Sequence, residues 1–192
     1  MTTTGRIQVL RASERPATAW LNGGGVTREV AGFPVGAGLG EFDWRVSLAD
    51  VASAGPFSPF PGIDRVITLV EGAGMALTVD GAVQSIDAPF RPFAFPGDAT
   101  TDCRLLDGPV VDFNVMTRRG RVEATVDLRT GPGSVQVPSA ATVLLVCLAG
   151  SAAVDDLELS RYDAALLDAP GAHELRPDGV AAAITFRTTT TR

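Results

Sequence analysis

Three arginines are the residues in this sequence best placed to do chemistry, each lying among apolar neighbours: Arg28 in VTREV, Arg45 in DWRVSLADV and Arg65 in GIDRVITLV. A guanidinium is planar and permanently charged, and its fork matches a carboxylate through two parallel hydrogen bonds. Side chains alternate along a strand, so Arg45, Ser47 and Ala49 share one side of their segment while Trp44, Val46 and Leu48 share the other. By the same period Arg65 lines up with Ile67 and Leu69, and Arg28 with Val26 and Val30. An arginine in an apolar row is costly unless it is paired. A small mono- or dicarboxylate is one such partner. Arg45 and Arg65 would hold it first, with Ser47, Ser58 and Asn114 adding neutral hydrogen bonds and Trp20 and Phe42 giving apolar walls. The competing arrangement is internal, an ion pair with Asp43, Asp64, Asp98 or Asp112.

The same inventory removes several chemistries. All 16 basic residues are arginine, so no lysine is available as a nucleophile or for a Schiff base. A net charge of −6 argues against nucleic-acid binding, and the run Arg118, Arg119, Arg121 is expected to be a solvated strand end. Cys103 and Cys147 lack a CxxC partner and sit in strand-like runs, which suits buried, reduced thiols. Ser47 and Ser58 have no GxSxG context, and the loop from Gly32 to Gly40 has neither P-loop nor dinucleotide spacing. The three glycines after Asn22 fit a hairpin or bulge, or a nest of backbone N–H groups near a ligand. No cationic, apolar leader opens the sequence and the longest apolar run, residues 140–149, is too short to span a bilayer. No membrane contact and a cytoplasmic location are expected.

The elements that must position these residues are strands. With 21 glycines and 13 prolines in 192 residues, the composition suits a turn-rich all-β chain. After Val66 come VITLVEG, GMALTV, AVQSI, PFAF, TDCRLL and VVDFNVM, separated by short Gly, Pro and Asp turns. In VVDFNVM, Asp112, Asn114 and Met116 share a side on which Asn114 can face a cavity. A second, plainer series follows: TVLLVCLAG, AAVDDLELS, DAALLDAPG and VAAAITFR. It echoes the first at an interval of roughly 73–78 residues, which indicates a diverged internal duplication. Residues 1–121 are expected to form the first half, with the chemistry, and residues 122–192 the second.

Strands paired around a glycine turn and closed by "PGD" or "APG" resemble the cupin pattern, and the duplication resembles a bicupin. More narrowly, WLNGGGVTREV, DWRVSLADV, GPFSPFPGIDR, LVEGAGM, FPGD and DFNVMTRRG resemble the HutD/Ves family of cupin-like proteins, over residues 20–120. The resemblance implies a bicupin of bacterial histidine utilisation that binds a small acidic metabolite such as formylglutamate and governs flux or expression. It supplies no catalytic residues. Most enzymatic cupins hold a metal with two or three histidines and a carboxylate, whereas this chain has one histidine, His173. No metal and no cofactor are therefore expected, and His173, in the turn-like GAHELRPDG, is expected at the surface. A homodimer through a sheet edge is also compatible, because pairing an edge satisfies its free backbone groups. Two alternatives to a binding protein stay open. A metal-free enzyme using an Asp or Glu base would show a carboxylate of raised pKa in its cavity, and a purely structural or partner-binding module would show a filled barrel.

Overall fold

The computed structural model describes residues 7–189, in which the alternating segments form seventeen strands and one short 3-10 turn, Ala12–Glu14. No helix among these residues is long and apolar enough to cross a membrane. Strand β1 (Ile7–Leu10) opens the chain. It is followed by β2 (Ala17–Ala19), β3 (Gly25–Phe33), β4 (Trp44–Val51), β5 (Gly55–Pro56), β6 (Ile63–Glu71), β7 (Met75–Val79), β8 (Ala82–Ile86), β9 (Pro92–Pro96), β10 (Thr101–Leu105) and β11 (Val110–Arg118). The remainder is β12 (Val122–Arg129), β13 (Gly133–Val137), β14 (Ala141–Val154), β15 (Leu157–Leu159), β16 (Ala164–Leu167) and β17 (Gly171–Thr188).

Two units emerge, residues 15–119 and residues 7–14 with 120–189. In the first, a six-stranded sheet of order β2-β3-β4-β11-β6-β9 lies over a four-stranded sheet of order β5-β10-β7-β8. One apolar cluster joins them: Ala49, Val51, Ile67, Leu69, Phe95 and Val110 from the larger sheet meet Met75, Leu77, Ile86 and Cys103 from the smaller. Because strand side chains alternate, this cluster also fixes which side of β4, β6 and β11 is interior.

The second unit repeats the design. Its order β12-β17-β14-β16 matches β4-β11-β6-β9, and β13 on β17 with β15 on β14 matches β5-β10-β7-β8. Here two long strands, β14 and β17, run through both layers where the first unit uses separate ones. Close approach at their crossing requires glycine, since Gly150 has φ +69° and a Cβ there would stand 1.9 Å from the Asp178 carbonyl oxygen. Its interior is apolar, built around Val143, Leu145, Cys147, Val154, Leu159, Leu167 and Leu175.

Two expectations are corrected here. β1 belongs with the second unit, because Ile7–Leu10 pairs antiparallel with Ala164–Leu167. GAHELRPDG is not a turn: it is the start of β17, with His173 opposite Val135 and its ring bonded to Asp155 at 2.8 Å, leaving the side chain 11% exposed.

Asp163 ties the opening strand down. Its buried carboxylate accepts from Arg11 Nη1 and the Ala12 N–H, both at 2.7 Å, and from the Ser160 N–H at 3.1 Å. Burial alone would raise its pKa; the Ala12 N–H, Arg11 and the Ser160 N–H together hold it below the usual range. A depressed carboxylate stabilises the fold above its unfolded pKa and loses that contribution as pH falls through the folded value. Asp163→Ala leaves these donors without their acceptor and is expected to cost about 2 kcal/mol, a fall in melting temperature of roughly 4–8 °C at pH 7.

Candidate functional site

The pairing of β4, β11 and β6 builds the site row by row. Arg45, Met116 and Arg65 stand abreast, then Ser47, Asn114 and Ile67, then Ala49, Asp112 and Leu69. On β9, Phe95 continues the first row and Phe93 the second. Paired residues project to the same side, so all of these face the interior defined by the apolar cluster. Arg65, Asp112, Asn114 and Ser47 are each buried, at 5%, 2%, 6% and 3% exposure. They form a polar patch between two apolar ends, Phe42, Ile63 and Met116 with Ala37 and Phe60 at one and the inter-sheet cluster at the other.

Arg65 is the centre of the patch. Its guanidinium lies over Phe95, Phe57 and Phe60 with centroid distances of 4.9, 5.4 and 5.5 Å. The negative ring faces stabilise a cation in an otherwise apolar place. Its Nε is buried with no hydrogen-bond partner among the described residues. Burial lowers its pKa to about 10, Asp112 opposing and Arg45 reinforcing, so it stays charged at neutral pH.

Asp112 is the counterpart. Its Oδ1 is also buried without a partner. Burial raises its pKa to about 7, with Arg65 pulling it down and Asp50 pushing it up. Arg65 and Asp112 thus influence each other through space, yet no ion pair forms between them. Asn114 Oδ1 is a third buried atom without a partner. Two opposite charges and an amide oxygen all point into one interior and leave their hydrogen-bonding capacity open. One donor and two acceptors on this face are thus left without partners among the described residues.

The other anticipated residues fall around this patch or away from it. Arg45 shares the interior face, and its Nε donates to Glu29 Oε2 at 2.7 Å, an internal partner absent from the four aspartates considered. Arg28 lies opposite Leu48, on the other face of the sheet, and is ion-paired to Asp50. Ser58 is exposed, and its neighbours Phe57 and Phe60 turn inward instead. Trp20 is half-buried, donating from Nε1 to Thr27 Oγ1 at 2.7 Å and standing edge-on to Phe57 with centroids 6.2 Å apart. Phe42 is buried at the far end beside Met116, with the Arg118 guanidinium 5.8 Å from its ring. Asp64 and Asp98 engage Arg119 at 2.6 and 2.8 Å, so neither pairs with Arg65.

What the sequence reading passed over is Asp112 as a site group and the three phenylalanines that enclose Arg65. Asp112 was legible as the residue two before Asn114 on the same strand side, and PFSPF carries two of the rings. The thiols offer no competing chemistry. Burial, with Asp112 and Asp102 adding, pushes Cys103 up to about 12, and burial with Asp163 pushes Cys147 up to about 11. No group of three or more His, Cys, Asp or Glu set to hold a metal occurs among the described residues.

With this geometry in view, comparison with known proteins is direct. The HutD family model matches residues 12–185. An uncharacterized 21.2 kDa protein in the hutC 3′ region of Pseudomonas putida is 41% identical over 140 residues, 73% of each chain. Protein Ves of Citrobacter koseri is 42% identical over 112 residues, 58% of each chain. The structure of HutD from Pseudomonas fluorescens SBW25, solved in a formate condition, superposes with TM-score 0.87 at 35% identity, covering 96% of this chain and 100% of that one. More distant folds include a nickel(II) complex of the bacterial pirin YhhW from Escherichia coli, at TM-score 0.66 and 10% identity over 97% of this chain and 100% of that one. Another is quercetin 2,3-dioxygenase from Acinetobacter baumannii, at TM-score 0.65 and 14% identity over 94% of this chain and 78% of that one. These two establish the cupin-like fold and nothing about chemistry. The match over nearly the whole chain, on the same strand framework that carries Arg65 and Asp112, means that this protein belongs to the HutD family of cupin-like proteins.

Proposed function

We propose that this protein is a regulatory binding protein whose first unit holds a small carboxylate, formylglutamate or a related acid, in histidine utilisation. The observation that carries the reading is Arg65: a buried cation enclosed by three aromatic rings, with a buried Nε that has no partner among the described residues. A carboxylate would supply the missing acceptor bidentately, and Asn114 and Ser47 stand one row away to add neutral contacts. The pathway rests on kinship, since one relative is encoded in a hutC 3′ region. The cytoplasm is the proposed location, and the two free cysteines suit a reducing compartment.

Calorimetry tests the reading. A hydrogen bond to a charged group contributes roughly 1.5–3 kcal/mol, so Arg65→Ala is expected to weaken binding of formylglutamate about ten- to a hundredfold. His173→Ala, in the other unit, should change nothing. Wild-type affinity in a folded Arg65 variant would move the site elsewhere.

A second reading has one observation in its favour. Asp112 is a buried carboxylate with its pKa raised to about 7 beside the anion site, which is what a general base acting near neutral pH requires. A metal-free enzyme acting on a small acid would consume formylglutamate in a proton NMR time course, and Asp112→Asn would stop it. An unchanged spectrum leaves the binding protein as the function.

A further inference from the structure

Asp112 and Asn114 present two buried acceptors, Asp112 Oδ1 and Asn114 Oδ1, that nothing among the described residues satisfies. They lie on the same interior face as Arg65, on the adjacent strand β11. An anion that only answers Arg65 would leave both acceptors empty, and a second carboxylate pushed toward Asp112 would set like charges together in an apolar surround. Along the strands Asn114 stands one row, about 6.6 Å, and Asp112 two rows, about 13 Å, from the row of Arg65, and the long arginine side chain leaves Asp112 close enough to act on it through space.

We infer that the ligand class is a carboxylic acid that also carries a hydrogen-bond donor, an N–H or O–H, read by Asp112 with Asn114 while Arg65 takes the carboxylate; this rests on the carboxylate site proposed above. The donor completes the acceptors that the protein leaves open. Unpaired buried polar groups then discriminate strongly against analogues lacking the donor, more strongly than an apolar pocket distinguishes one methylene. Asp112 is in this view a specificity residue, buried on the same interior face as Arg65 and joined to it by no ion pair.

The test is a matched pair of probes titrated at pH 8: N-acetylglutamate, and 2-acetonylglutarate, in which CH2 replaces the N–H. Wild-type protein is expected to prefer N-acetylglutamate at least tenfold. Asp112→Leu should bring the two affinities within about threefold of each other, and Arg65→Ala should weaken both. If the wild type binds both probes equally while Arg65→Ala still weakens both, the donor rule is wrong and the carboxylate site stands. If the wild type binds neither, the site itself is wrong and the rule falls with it. Should Asp112→Leu not fold, the wild-type ratio alone decides.

Discussion

Asp112→Asn is expected to raise the thermal unfolding midpoint of the ligand-free protein at pH 8 by roughly 8–16 °C, with the gain shrinking as pH falls. The carboxylate stands at about 7 in the fold against an ordinary value of 3.8, a shift caused first by burial and only partly offset by Arg65. A raised carboxyl pKa means that the native state holds the proton more tightly than the unfolded chain. The stability penalty is therefore absent below the unfolded value, grows as pH rises between the two, and is complete above the folded value. Each pKa unit corresponds to about 1.4 kcal/mol, so the full penalty is roughly 4 kcal/mol. Asparagine keeps the shape and a hydrogen-bonding group but cannot ionise. Melts at intervals from pH 4 to pH 8 check this: a gain that is the same at every pH, or a loss at pH 8, would mean that Asp112 is not held in the state described.

How far the sequence disclosed this site follows from what strand alternation can and cannot specify. The period of two correctly set Arg45 with Ser47, Arg65 with Ile67 and Asp112 with Asn114, because these relations are local to one strand. Relations between strands depend on register, which no local pattern encodes. Arg28 reads as the equal of Arg45, yet it faces the other way: it pairs with Leu48, and a register shift between Glu29 and Ala31 changes the phase along β3. The same limit hid Asp112, whose importance comes from being near Arg65 on the next strand without touching it. Ser58 was favoured as a polar residue in a proline-rich bend, but the bend buries its rings and exposes its hydroxyl. His173 reads as a turn residue because Pro177 and Gly179 follow it, whereas pairing with β13 and β14 holds β17 extended through both. The strand repeat itself was legible because most of the short strands are separated by glycine, proline or aspartate turns. The place of β1 was not, since its partner lies more than 150 residues away in sequence.

The double variant Arg65→Met, Asp112→Leu sets ligand recognition against internal pairing most sharply. If the two charges served the fold as an ion pair, replacing them would cost stability or at best be neutral. The geometry argues otherwise, since burial lowers the arginine and raises the aspartate, no ion pair joins them, and the aromatic rings around Arg65 offset only part of its desolvation. Well-packed apolar replacements of buried charges are neutral or stabilising by about 1–4 kcal/mol in such settings. Methionine is unbranched and makes favourable sulfur contacts with aromatic rings, so it suits the space among Phe57, Phe60 and Phe95. Leucine on Asp112 meets Ala49 and Leu69 on its flanking strands. The double variant is thus expected to melt roughly 3–12 °C above wild type at pH 8, while losing carboxylate binding. Arg65→Met alone should keep part of the gain, with the Asp112 carboxyl pushed further up once the Arg65 charge that pulls it down is gone. A double variant that melts below wild type would show that these residues are retained for folding. One that is more stable and no longer binds would show that the interior charges persist because a ligand, and not the fold, requires them.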